Sequence, residues 1–494
     1  MRQSLVLAAA FAVATGCANM RAAAPQASAE DATAARLNAV RGDSSRLLEF
    51  LRAMPKGGDL HNHLSGAVSA ESYVQWAADD GLCFVIATSS LTRPPCDGAG
   101  RVPASRLTSD SVLRAAAIDA WSMRNWRPGI ESGADHFFAT FSKTGPVGVS
   151  HLGQMLAEVT ARAAAQHVSY LELMMNPDEG AIPRLGLRIG WNADFATLRA
   201  RLDSAGLLDS IRSASSTVDR GEQHQRELLR CGTPAADPGC GVTVRYIYQV
   251  VRSRAPEQVF AQILAGFDWP AVDRRFVSLN LVAPEHGAVA VRDFDLHMRM
   301  IDWIRSTHPN VPITLHAGEL SEQVTPRTTM RSHIRQSVEM GHASRIGHGV
   351  DVLQEDDAES LLREMAARRV LVEIGLTSND VILGVRGAAH PLAAYLAHGV
   401  PVALVTDDEG VSVSDMTHEY FRAVTDQHLD YRTLKSMARN SIAFSFADDS
   451  TKKRLQSDLE NAFTRFEARF VSFLPSRRVP SNTDPSIGFD LRAN

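Results

Sequence analysis

Short apolar runs, each followed by an amphipathic stretch of helical spacing, recur along most of this chain. The runs are apolar throughout, which is typical of parallel strands buried on both faces. Repeated β-α units of this kind predict a parallel sheet, either closed or doubly wound. Seven runs lie at 168–175, 242–250, 275–282, 311–315, 345–350, 370–374 and 400–406. With residues 58–61 as a first strand the count is eight, so the sequence predicts an α/β fold, a (β/α)8 TIM barrel.

Two segments do not follow this alternation. Residues 81–144 and 212–241 each contain two cysteines and interrupt the series of apolar runs. We predict two insertions there, at or near the catalytic face of the barrel, where loops carry function. Residues 41–475 are expected to form one barrel domain, and the Pro-, Ser- and Asn-rich residues 476–494 a loose C-terminal tail.

The N-terminal residues are typical of an export signal. The apolar run 5–14 is too short to span a bilayer and has the length of a signal-peptide core. Small residues then lead into Cys17, as in bacterial lipoproteins whose cysteine is lipidated after cleavage; simple secretion is the alternative. We expect a signal peptide at 1–16, a lipid-anchor tether at 17–40, and a protein exported to the periplasmic or cell-surface side.

The cysteine count also suits an oxidising compartment. The chain has five cysteines, and setting Cys17 aside leaves four, which suggests two disulfides in an exported protein. The sequence alone allows three connectivities. Pairing of near neighbours, Cys83 with Cys96 and Cys231 with Cys240, is favoured because each pair brackets a turn-rich segment.

The charge balance limits the partners that this chain can bind. The chain carries 51 Lys and Arg against 56 Asp and Glu, a formal net charge of −5. Such a balance gives no reason to expect nucleic acid as a partner, or a membrane other than through a lipid anchor at Cys17. A small molecule is the expected partner, and the oligomeric state is left open.

Polar side chains follow the predicted strands. His61 and His63 end the first strand, and their i, i+2 spacing places both imidazoles on one face. His316 and Asp407 follow two later strands, and the ends of parallel barrel strands converge on one face. Three imidazoles and a carboxylate form a site that suits zinc and leaves a further position for water. The neighbouring residues Glu319, His348 and Asp408 are then candidates for proton transfer and substrate binding.

Six ordered motifs strengthen this hypothesis. They are Met-Pro-Lys-Gly-Gly-Asp-Leu-His-Asn-His-Leu at 54–64, Leu-Val-Ala-Pro-Glu at 281–285, His-Ala-Gly-Glu at 316–319, Gly-His-Gly at 347–349, Thr-Ser-Asn at 377–379 and Thr-Asp-Asp at 406–408. In this order they resemble the motifs of the adenosine deaminase family of metal-dependent hydrolases, from about Met54 to Phe446. The second is a drifted form of the family's LxGxE segment.

The resemblance implies a role for each matching residue. It implies that His61, His63, His316 and Asp407 hold one Zn²⁺ per chain. Glu319 would donate a proton to the purine ring nitrogen beside the amino-bearing carbon, and His348 would orient the attacking water and help to deprotonate it. Asp407 would contact the same water, so Glu319, His348 and Asp407 form the catalytic set.

The resemblance also implies three substrate contacts. Asp408 would hydrogen-bond the five-membered ring of the purine, and the backbone near Ala283 would meet the far ring nitrogen. Ser65 stands where the family usually has an aspartate that helps to hold the 5′ end of the sugar. Ala283 stands where the family usually has glycine, which adds a methyl group beside the base.

The function implied is zinc-dependent hydrolytic deamination of adenosine or 2′-deoxyadenosine to inosine or 2′-deoxyinosine and ammonia. Because Ser65 and Ala283 depart from the family pattern, a related purine deaminase acting on adenine, a modified adenosine or a nucleotide is the alternative. A surface protein that binds a nucleoside without turnover is the alternative of another class.

Overall fold

The computed structural model describes residues 28–471 of the chain. The expected signal peptide, Cys17 and the tail at 476–494 lie outside the described residues. The strands are β1 (Gly57–His63), β2 (Cys83–Val85), β3 (Ser90–Thr92), β4 (Arg101–Pro103), β5 (Val168–Met175), β6 (Thr243–Val251), β7 (Phe276–Val282), β8 (Thr314–Ala317), β9 (Arg345–His348), β10 (Leu371–Ile374) and β11 (Val402–Leu404).

The helices surround these strands. They are α1 (Ala29–Val40), α2 (Ser44–Ala53), α3 (Leu64–Ala67), α4 (Ala70–Asp79), α5 (Arg106–Ser109), α6 (Ser111–Ala120), α7 (Gly133–Thr144), α8 (Leu152–Ala165), α9 (Ala181–Ile189), α10 (Phe195–Ser204), α11 (Leu207–Leu228), α12 (Pro256–Val272), α13 (Ala288–Arg292), α14 (Phe294–Arg305), α15 (His333–Glu339), α16 (Ala358–Arg368), α17 (Leu376–Leu383), α18 (Leu392–Ala397), α19 (Glu409–Ser412), α20 (Met416–Thr425), α21 (Tyr431–Ala443) and α22 (Asp449–Val471). Within residues 28–471, none of them is both long and apolar enough to cross a bilayer.

Eight parallel strands form the predicted barrel. They pair in the orders β1-β5-β6-β7 and β8-β9-β10-β11. Between β7 and β8, the Asn280 side chain accepts a hydrogen bond of 2.7 Å from the His316 N–H. Between β11 and β1, the N–H of His63 donates to the Asp407 carbonyl and the N–H of Asp407 to the His61 carbonyl, both at 2.9 Å. These contacts close the barrel and confirm the (β/α)8 fold. Strand β8 begins a few residues later than predicted, after Pro312, which has no N–H to donate.

The predicted tether over 17–40 is wrong for residues 29–40, which form helix α1. Ser28 caps the helix in a capping box with Asp31, and Leu37 and Val40 are buried. The helix packs against α22. The alanine-rich composition suggested a flexible segment, but the capping pair and the buried face are enough to fix a helix on the barrel.

The first predicted insertion, 81–144, contains a small antiparallel sheet of order β3-β2-β4 and three helices. The Cys83–Cys96 disulfide ties this sheet to the loop that follows β3. Helix α7 brings Phe137, Phe138 and Phe141 to a cavity at the carboxyl ends of the barrel strands. This insertion therefore contributes to the face on which the candidate site lies.

The second predicted insertion, 212–241, does not lie at the catalytic face. Most of it belongs to α11, which packs against α8, α9 and α12 in the outer helical layer. The Cys231–Cys240 disulfide closes the loop that leads into the amino end of β6. Because a loop preceding a parallel strand lies at that strand's amino end, this segment is at the opposite end of the barrel. The predicted pairing of all four cysteines is confirmed.

Candidate active site

Four side chains converge at the carboxyl ends of β1, β8 and β11. The Nε2 atom of His316 lies 3.1 Å from Nε2 of His61 and 3.2 Å from Nε2 of His63. The Oδ1 atom of Asp407 lies 3.4 Å from Nε2 of His61 and 3.4 Å from Nε2 of His63. All four residues are buried. These separations fit donor atoms arranged around one ion with bonds of about 2.0–2.1 Å, and the donor set suits zinc.

A hydrogen bond fixes the second nitrogen of each histidine. Nδ1 of His61 lies 2.7 Å from Oε2 of Glu373, and Nδ1 of His63 lies 3.1 Å from Oε1 of Gln249. Nδ1 of His316 lies 2.9 Å from Oδ1 of Asn280. These partners accept the Nδ1 protons, so the Nε2 lone pairs face one another, as in metal sites whose ligands are oriented from outside.

The pKa directions also indicate that the cluster favours a cation. Burial lowers the pKa of His63 to about 4 and that of His316 well below its ordinary value, so both are neutral, as ligands must be. Burial alone would lower the pKa of His61, but its hydrogen bonds with Asp407 and Glu373 raise it to about 10. A proton on His61 thus supplies positive charge that these two carboxylates attract, and a bound cation would supply the same charge.

Glu373 is expected to tune the metal affinity without touching the metal. Its Oε2 atom holds His61, and its Oε1 atom accepts from Thr314 at 3.0 Å and pairs with Arg345 at 2.6 Å. We predict that Glu373→Gln weakens metal affinity about 10- to 100-fold, because the neutral amide makes His61 a poorer ligand. Competition with a chelator measures this effect, and Glu364→Gln on the outer helix α16 is the control. An unchanged affinity would contradict the prediction.

The proton-transfer candidates lie beside the four donors. Glu319 follows β8, His348 ends β9, and Nε2 of His348 lies 3.7 Å from Oε1 of Glu319. On its other side, His348 has Nδ1 3.0 Å from Oδ1 of Asn379. Burial raises the pKa of Glu319 above its ordinary value, and burial with the adjacent Asp407 charge raises that of Asp408. A protonated Glu319 is suited to donate a proton to a buried substrate.

Three of the twelve non-glycine residues with positive φ in the described part of the chain belong to this site. Ala283, His348 and Asp407 have φ of 81°, 69° and 61°, a region that non-glycine residues rarely adopt. Such residues cost about 1–3 kcal/mol each and are typical of functional sites. Ala283 therefore retains the backbone conformation that a glycine at this position would adopt easily.

A cavity of about 320 Å³ lies over these groups. Its lining residues are His63, Ser65, Phe137, Phe138, Phe141, Asn176, Gln249, Val282, Ala283, Pro284, His316, Glu319, Asp407 and Asp408. Asp408 packs against Gly66, where an added Cβ would lie 1.5 Å from its Oδ1. The structure thus brings the three predicted substrate contacts, Asp408, Ala283 and Ser65, to the cavity that is lined by three of the four predicted metal ligands. His348 lies beside Glu319 but does not line the cavity.

Comparison with known proteins identifies the family. A family model described as adenosine deaminase matches residues 135–462, which is more than half of the chain. The chain belongs to the adenosine deaminase family. Its relatives in this family are hydrolases that act on C–N bonds of purines.

Two relatives and one solved structure illustrate the range of this family. An aminodeoxyfutalosine deaminase of Streptomyces coelicolor is 27% identical over 61% of this chain and 65% of its own length. An adenosine deaminase of Enterococcus faecalis is 30% identical over 31% of this chain and 42% of its own. The chain thus spans less than two thirds of these relatives. The crystal structure of an Arabidopsis N6-methyl-AMP deaminase is 20% identical to this chain and matches it with a TM-score of 0.56. The match covers 84% of this chain and 99% of the Arabidopsis chain, and it supports the barrel fold.

The sequence did not predict that Asn280, Gln249 and Glu285 support the site of this adenosine deaminase family member. Asn280 in β7 and Gln249 in β6 accept hydrogen bonds from Nδ1 of His316 and of His63. Glu285, in the drifted LxGxE segment, accepts from the N–H of Glu319 at 2.9 Å and lies 2.6 Å from Nδ1 of His333. A polar residue inside an otherwise apolar strand was the available signal for Asn280 and Gln249, because a buried polar group needs a partner.

Proposed function

We propose that this protein catalyses the zinc-dependent hydrolytic deamination of adenosine or 2′-deoxyadenosine. Water replaces the 6-amino group, and the products are inosine or 2′-deoxyinosine and ammonia. The observation that carries this proposal is the buried cluster of His61, His63, His316 and Asp407. His63, His316 and Asp407 line one cavity together with Glu319 and Asp408, and His348 lies beside Glu319. The relatives of this chain share a broader property: they are hydrolases of purine C–N bonds and belong to a metal-dependent family.

Each residue has a defined task in this reaction. His61, His63, His316 and Asp407 would hold the zinc, which when bound lowers the pKa of water toward about 7 and so makes a nucleophile available at neutral pH. Glu319 would protonate the ring nitrogen beside the amino-bearing carbon, which makes that carbon more electrophilic. His348 would orient the attacking water and accept a proton from it.

The remaining contacts would position the purine. Asp408 has a raised pKa, so it can donate a hydrogen bond to a ring nitrogen. Phe137, Phe138 and Phe141 of helix α7 provide an aromatic wall of the cavity. This wall would exclude water from the base and strengthen the polar contacts inside.

A second candidate is a purine deaminase acting on adenine, a modified adenosine or a nucleotide. The observations that favour it are Ser65 and Ala283, which both line the cavity and both differ from the usual family residues. A nucleoside-binding surface protein without turnover is the non-enzyme alternative, and the complete set of ligand and proton-transfer residues argues against it.

Ammonia release from four substrates tests the proposal. The mature protein, with its metal content quantified, is assayed with adenosine, 2′-deoxyadenosine, adenine and AMP. We expect turnover of the two nucleosides with about one zinc per chain. Turnover of adenine or AMP alone would support the second candidate, whereas tight nucleoside binding without ammonia release would support the non-enzyme alternative.

We also propose that the protein is exported to the periplasmic or cell-surface side and anchored through a lipid at Cys17. The two disulfides support export, because such bonds persist in oxidising compartments. Mass spectrometry of the mature N-terminus is expected to find acylated Cys17. A mature chain that begins at Met1 would contradict this proposal.

A further inference from the structure

A second cavity, of about 210 Å³, adjoins the cavity that is lined by His63, His316 and Asp407. The two cavities share Ser65, Phe141, Asn176 and Gln249 as lining residues. The other lining residues of the second cavity are Leu64, Tyr73, Thr144, Gly145, Gly148, Leu152, Met155, Met174 and Met175. A ligand bound over the metal site can therefore extend past Ser65 into this second cavity.

The second cavity is suited to an apolar group. None of its lining residues, all of which lie within the described part of the chain, carries a formal charge. Met155, Met174 and Met175 contribute flexible thioether side chains, which adapt to ligands of irregular shape. A phosphate placed here would lose water without gaining a cation, whereas an alkyl or aryl group would gain by leaving water.

Ser65 stands at the junction of the two cavities. It is exposed, although Leu64 and Gly66 beside it are buried, and the Tyr73 hydroxyl donates to the Ser65 carbonyl at 2.8 Å. The resemblance to the family implies that the 5′ end of the sugar lies near this residue. An aspartate here would bring a negative charge to the entrance of the apolar cavity, and serine does not.

We propose that the preferred substrate is an adenosine derivative whose 5′-hydroxyl is replaced by an apolar substituent, and that the second cavity binds this substituent. This inference rests on the proposed deamination and specifies its substrate class. The reaction is unchanged: water replaces the 6-amino group, ammonia leaves, and the 5′ substituent passes into the product intact.

A wider cleft lies next to the second cavity, so the substituent can be longer than the second cavity alone would allow. This cleft, of about 860 Å³, shares Gly145, Gly148 and Asn176 with the second cavity. Arg93, Arg184 and Arg254 lie along it together with acidic residues. Short alkylthio groups fit within the second cavity, and longer substituents with a polar end can reach the cleft.

Substrate competition tests the inference. The metal-loaded protein is assayed with adenosine, 5′-deoxy-5′-methylthioadenosine and AMP. We expect kcat/KM for the methylthio compound to exceed that for adenosine by about tenfold, because an apolar group in an apolar site discriminates at this level, and AMP to be the poorest substrate. If adenosine were turned over as fast as the methylthio compound or faster, this inference would be overturned but the proposed deamination would stand. No turnover of any of them would overturn the proposed function as well.

A matched pair of variants isolates the charge at the junction. Ser65→Asp is expected to remove the preference for the methylthio compound, and Ser65→Asn, similar in size but neutral, to keep it. Calorimetric affinities for 5′-deoxy-5′-methylthioinosine are expected to follow the same order and do not depend on turnover. The same preference in both variants would overturn the role of Ser65, and with it the inference.

Discussion

Asp407→Ala is expected to abolish both metal binding and turnover. The variant removes the carboxylate whose Oδ1 lies 3.4 Å from Nε2 of His61 and of His63, which is the only carboxylate among the four proposed ligands. We expect less than about 0.1 metal ion per purified chain and a loss of about 10⁴-fold or more in kcat/KM, because the nucleophile and its alignment are both lost. Metal analysis and ammonia release measure the two effects.

Asp268→Ala is the control for this prediction. Asp268 is also buried, but it lies on the outer helix α12 and pairs with His308 at 2.9 Å. The control is expected to retain its metal and its turnover. If Asp407→Ala kept a full complement of metal and the parental rate, the four-residue site would be wrongly assigned.

Glu319→Gln is expected to separate chemistry from metal binding. The amide keeps the size of the side chain but cannot donate a carboxylic proton to the substrate. We expect normal metal content, a similar KM and a fall in kcat of about 10²- to 10⁴-fold, the range for loss of one proton-transfer group.

Glu322→Gln is the matched control, because Glu322 lies three residues downstream and its side chain is 66% exposed. Its kcat is expected to equal that of the parent. Parental kcat in Glu319→Gln would show that the proton comes from another group. Loss of metal in that variant would instead assign Glu319 a structural role.

The barrel and the convergence of the four proposed ligand side chains could be predicted because local patterns encode them. An all-apolar run specifies a strand buried on both faces, and His61 and His63 two residues apart must share a face. The order of the strands then brings His316 and Asp407 to the same end of the barrel. These inferences need only the periodicity of the chain and the geometry of parallel strands.

Other features depend on contacts that no local pattern specifies. Helix α11 lies in the outer layer because it packs against α8, α9, α10 and α12. The sequence of residues 212–241 does not show these contacts. Asn280 supports His316 only because the two strands that carry them lie side by side in the closed barrel. The second cavity likewise forms between α8, β5 and the first insertion, which are distant in sequence.

The closure between β11 and β1 has a consequence for the order of assembly. The hydrogen bonds of this closure involve His61, His63 and Asp407, which are three of the four proposed metal ligands. A growing or truncated chain that lacks the last strand therefore has an incomplete site. An ion bound there would join the earliest and latest strands of the barrel, so its binding energy would add to the free energy of folding. Metal uptake would then report that the entire barrel has been assembled.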